Sequence, residues 1–89
     1  MSETVALIMK RKVLAQSLMR LTREEKGIQM YFQPDYADAD VVIRGCGASC
    51  ALIEVAESGE YDVAYCLALC AWLKKETPAC KLLLLCPEN

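Results

Sequence analysis

The spacing of hydrophobic and polar positions changes several times along the chain. Residues 4–9, TVALIM, form a short apolar run with β-branched residues, which predicts a buried strand ended by the KRK cluster at 10–12. From Val13 the period lengthens. Val13, Leu14, Ser17, Leu18 and Leu21 share one helical face, while Gln16, Arg20, Arg23 and Glu24 fall mostly elsewhere. Gly27 closes this predicted helix, with Lys26 in its last turn. Residues 28–32, IQMYF, read as a second strand stopped by Pro34.

The stretch PDYADADVVIRGCG admits two readings. One is a short helix over 37–44, with Asp35 or Tyr36 near its start and Gly45 or Gly47 at its end. The other is a strand at 41–43, since three successive β-branched residues are poor helix formers. Alternation with the neighbouring strands favours the helix. CALIEV at 50–55 reads as a third strand. A polar turn around Gly59 follows, and Asp62 is placed to cap the next helix. Val63, Cys66, Leu67, Cys70 and Leu73 mark a helical face running to KKE at 74–76; Pro78 breaks it, and KLLLLC at 81–86 makes the fourth strand.

The order β-α-β-α-β-α-β predicts an α/β fold, a three-layer αβα sandwich around a mostly parallel sheet. Residues 1–89 show no repeat, low-complexity tract or linker and read as one domain. The formal net charge of −2 argues against nucleic acid as a partner. The apolar stretches are all interrupted by charges, which predicts no membrane span, and the start lacks a leader pattern. Histidine is absent, which excludes Ser-His-Asp chemistry, phosphorylation of histidine on this chain and Cys/His zinc sites. KRK stands where a Gly-rich phosphate loop would follow the first strand, so a flavin or nucleotide site is not supported, although the cluster lies where a helix start attracts anions. No cofactor is expected.

The chain is 55% hydrophobic, and part of this surplus sits on the helix at 62–75. Tyr65, Leu69 and Trp72 form a stripe beside the first one. It is open whether they widen the buried face, line a pocket, or offer a partner surface, for which Trp and Tyr are favoured anchors. The six cysteines, at 46, 50, 66, 70, 80 and 86, have no C-x2-C spacing. Reduced packing residues are one reading. The two C-x3-C pairs, Cys46/Cys50 and Cys66/Cys70, also resemble the twin C-x3-C pattern of small disulfide-linked helical-hairpin chaperones, against which stand the flanking Gly45 and Gly47 and the strand that follows.

The succession TVALIM, KRKVLAQSLMRL, GIQMYF, CALIEVAESG and CLALCAWLKKETPACKLLLLCPEN resembles a response-regulator receiver domain, the flavodoxin-like phosphoacceptor module of two-component signalling. The resemblance implies the sheet order 2-1-3-4, with no counterpart in the 89 residues to the receiver's fifth strand and the helices on either side of it. It also implies a cytoplasmic signalling or interaction module. The receiver's metal-holding acidic pair falls on Met9 and Lys10, its phosphoacceptor aspartate on Glu54, and its hydroxyl residue on Cys86. A lysine repels a hard cation where oxygen ligands are needed, and cysteine is a poor substitute for a hydroxyl donor. Glu54 is then a plain strand-end carboxylate, a charge lock with Lys10, or a residual site of metal or phosphoryl chemistry.

A non-catalytic module unable to take phosphate at the usual site is the favoured expectation; a degenerate phosphoacceptor is the alternative. With the fourth strand left as an apolar edge, the expected partner is a second copy or another signalling protein, through Tyr65, Leu69, Trp72, Leu83 and Leu85.

Overall fold

The computed structural model describes residues 3–25, 27–57 and 59–86. Lys26 and Ser58, which the pattern placed in a helix end and a turn, lie outside the described residues. Strand β1 (Glu3–Ile8) leads into helix α1 (Lys12–Leu21) and strand β2 (Ile28–Gln33). A 3-10 turn (Tyr36–Asp38) precedes helix α2 (Ala39–Cys46) and strand β3 (Cys50–Glu54). Helix α3 (Val63–Glu76) and strand β4 (Lys81–Leu85) follow. The four strands form one all-parallel sheet in the order β2-β1-β3-β4.

The residues 36–46 are helical, and the β-branched run Val41–Ile43 lies inside α2. Asp35 accepts the amide of Ala37 to start the turn, and Gly47 ends α2 in the left-handed region at φ 66°, where a side chain is disfavoured. Helix α1 stops at Leu21, before Gly27: the backbone tightens into three-residue turns, the Arg23 amide donating to the Arg20 carbonyl at 3.2 Å and the Glu25 amide to that of Thr22 at 3.0 Å, while the Thr22 hydroxyl donates to the Leu18 and Met19 carbonyls. In α3, Asp62 accepts the Tyr65 amide at 3.0 Å, an N-cap that satisfies one of the free donors of the first turn.

Alternation along the strands loads both faces of the sheet. Ala6, Ile8, Ala51 and Ile53 pack with Tyr36, Ala39, Ile43, Cys66, Leu69 and Leu73 under α2 and α3. Leu7 and Met9 pack with Ala15 of α1, extended by Leu14, Leu18, Met30, Phe32 and Leu52. The result is the three-layer sandwich, with strand β2 at one edge and β4 at the other. No helix among the described residues is long and apolar enough to cross a membrane.

The line along α3 that faces the core is Cys66, Leu69 and Leu73, whereas Val63 and Leu67 are exposed. Leu69 is therefore a core residue and not part of an outer partner stripe. Tyr65 is half-buried against the core, and only Trp72 of that trio is exposed. Cys50 lies in a strand and all six thiols are free, so the C-x3-C pairs do not build a disulfide-linked pair of helices.

Candidate functional site

Parallel strands aim their carboxyl ends at the same rim of the sheet, and in open α/β sheets the crevice at the switch in strand order is where ligands bind. Here β1 and β3 are adjacent while their chains leave toward opposite faces. Glu54 is the last residue of β3, and Met9, Lys10 and Arg11 connect β1 to α1.

Glu54 is buried, its side chain only 8% exposed. One carboxylate oxygen accepts the backbone amides of Lys10 at 3.2 Å and Arg11 at 3.3 Å. The other accepts from Arg11 Nε in a side-chain ion pair. Both oxygens are thus engaged at the start of α1, where the helix dipole also favours negative charge. The side chain paired with Glu54 is that of Arg11 and not the Lys10 ammonium. Arg11 stands outside the helix with extended backbone, which turns its side chain back over the strand end. Lys10 Nζ instead lies 5.0 Å from the centre of the Tyr61 ring, within cation–π range.

An aromatic cluster supports the opposite side of β3. Tyr36 is buried, and its hydroxyl donates to the Glu54 carbonyl at 2.6 Å. Its ring stacks on Tyr61 at 4.0 Å, and Tyr65 meets Tyr61 edge-on at 5.0 Å. Burial first, then the nearby Glu54 charge, holds the Tyr36 phenol above its ordinary pKa, so it serves as a donor. Cys66 Sγ also approaches the Glu54 carbonyl, at 3.7 Å. Tyr36, Tyr61 and Arg11 carried no signal beyond a turn-like PDY, a polar loop and a run of three cations.

Of the other expected residues, Met9 is fully buried in the α1 layer, and Cys86 is exposed just beyond β4. The donor set does not suit the divalent metal of a receiver. Among the described residues no grouping of three or more acidic, Cys or His side chains can hold a metal ion. Glu54 is committed to Arg11, Met9 offers a thioether, and Lys10 a cation.

No protein-family profile matches the sequence, and no curated protein matches it. Solved structures do match its shape. A two-component response regulator of the LuxR family from Aurantimonas sp. SI85-9A1 superposes with TM-score 0.77 at 11% identity, over 100% of this chain and 61% of that one. The response regulator MaeR bound to beryllium trifluoride gives 0.74 at 10% identity, over 98% of this chain and 69% of that one. A sulfate-bound aspartate-to-alanine mutant of MaeR gives 0.76 at 10%, over 100% and 70%. The chain has the receiver fold of response regulators through its first four strands, and spans less than two thirds of the length of the Aurantimonas protein.

Proposed function

We propose that this chain is a receiver-like signalling module that works without phosphoryl transfer. The observation that carries this reading is the engagement of both Glu54 oxygens by the amides of Lys10 and Arg11 and by the Arg11 side chain. A phosphoacceptor needs a free carboxylate oxygen to attack phosphorus and a metal to neutralise the charge that develops. Glu54 has a guanidinium in the metal's stead. The ion pair neutralises the strand-end carboxylate in a state that is set by sequence and needs no kinase. The module is accordingly not an enzyme.

Its output is then association with a protein partner, a second copy or another signalling protein, with no nucleic acid or membrane bound by this chain. Leu83 on the edge strand is 55% exposed and Trp72 on α3 is 41% exposed, and a partner covering them removes apolar surface from water. Six free thiols suit a reducing, cytoplasmic setting.

The beryllium trifluoride held by MaeR supplies the probe. Titration of the chain with magnesium and beryllium fluoride, followed by 19F NMR, is expected to show only free fluoroberyllates. A protein-bound resonance that disappears in Glu54→Gln would overturn the closed-site reading in favour of a degenerate phosphoacceptor.

A further inference from the structure

Two thiols converge on the carboxyl rim of the sheet, beyond the Glu54 carboxylate. Cys66, in the first turn of α3, is fully buried, with Sγ 3.7 Å from the Glu54 carbonyl and 3.6 Å from that of Tyr61. Glu54 is the register partner of Leu85 on β4, and the Val55 amide donates to the Leu85 carbonyl at 2.8 Å, so the two strands remain joined at this level. Cys86 follows Leu85 directly and is exposed.

Leu82 and Leu84 face the core cluster that contains Cys66. The same alternation, carried two residues on, puts Cys86 on the Cys66 side of the sheet. A strand spacing of about 4.8 Å separates the chain that carries Cys86 from the carbonyl that Cys66 touches. Burial, then the neighbouring groups Cys70, Asp62 and Cys86, push the Cys66 thiol up to about 11. Cys66 therefore stays protonated near neutral pH, and the solvent-facing Cys86 is the thiol that meets an oxidant first.

We propose that Cys86 and Cys66 form a reversible redox pair, oxidised by a hydroperoxide to an intramolecular disulfide between β4 and α3. The Cys86 thiolate attacks the terminal peroxide oxygen; the O–O bond breaks, and the leaving oxygen takes a proton to give water or an alcohol. The Cys86 sulfenic acid that results is attacked at sulfur by Cys66, which gives up its proton as the S–S bond forms and the S–O bond breaks. Water leaves, two thiols have lost two electrons, and the peroxide has gained them. The bond would tie the start of α3 to the end of β4 and withdraw the Cys66 S–H from the Glu54 carbonyl, leaving the Tyr36 hydroxyl there. Cys46, Cys50 and Cys80 sit at the opposite, amino-terminal ends of β3 and β4 and take no part. The pair does not depend on whether Glu54 can accept phosphate.

The test uses the full chain, reduced, freed of reductant and treated with hydrogen peroxide before alkylation and mass spectrometry. The expected product has no disulfide to another chain, is lighter by about 2 Da before alkylation and carries two fewer alkyl groups than the reduced control after it, is restored by dithiothreitol, and yields a Cys66–Cys86 cross-linked peptide. Cys70→Ser is expected to keep the cross-link, which separates the two α3 thiols within one peptide. Cys86→Ser changes an exposed side chain, is expected to leave the circular dichroism spectrum unchanged, and abolishes the 2 Da loss. Recovery of Cys86 as sulfinic acid, or linked to any cysteine other than Cys66 or to another chain, would overturn the proposal.

Discussion

At the scale of single residues, the site turns on which cation reaches Glu54. Removing the carboxylate strands the Lys10 and Arg11 amides and the guanidinium together, whereas removing the Arg11 side chain, 67% exposed, leaves both amides satisfied. Glu54→Ala is expected to lower unfolding stability by about 1–3 kcal/mol. Arg11→Ala is expected to cost under about 1 kcal/mol, because solvent already screens that ion pair. Urea denaturation of both variants and the double variant measures the coupling; equal and negligible costs would contradict the engaged carboxylate. Glu54 could be placed at the rim from the sequence, since it ends an apolar strand. Arg11 could not be singled out among Lys10, Arg11 and Lys12, because the choice depends on the extended backbone at the residue before α1.

At the scale of elements, the strands and their order were readable because each apolar run is short and bounded by polar or Pro/Gly signals. The helices were less so. In α3 nearly every position from Val63 to Leu73 is apolar or small, so periodicity alone cannot choose the buried face. Packing chose Cys66, Leu69 and Leu73, and left Val63 and Leu67 outside. In α1 the sequence pattern continued past Leu21, but the backbone passes into three-residue turns from Arg20 to Glu25. Strand β4 leaves one edge of the described sheet with Leu83 exposed beside Leu52, its register partner on β3. An apolar edge of this kind pairs with another chain unless it is charged or covered. Light scattering at micromolar concentration is expected to show a dimer that Leu83→Lys dissociates. A monomer at all concentrations would remove the self-association reading while leaving the fold untouched.

At the scale of the whole molecule, the alternation of strands and helices carried the receiver-like architecture, and the comparison structures match it at 10–11% identity. So low an identity within one fold is physically reasonable: apolar periodicity and turn positions are enough to specify the layers, and many side chains satisfy them. The same logic does not specify chemistry, which depends on a few positions at the rim. Here those positions hold a thioether, a lysine drawn to Tyr61 and a glutamate held by Arg11. The aromatic cluster of Tyr36, Tyr61 and Tyr65 then fixes the loop after β3 from the other side.

The most direct measurement is the intact mass of the chain after incubation with acetyl phosphate and magnesium. The closed carboxylate is expected to leave the mass unchanged. An adduct of about 80 Da, mapped to Glu54 and labile as an acyl phosphate, would contradict it.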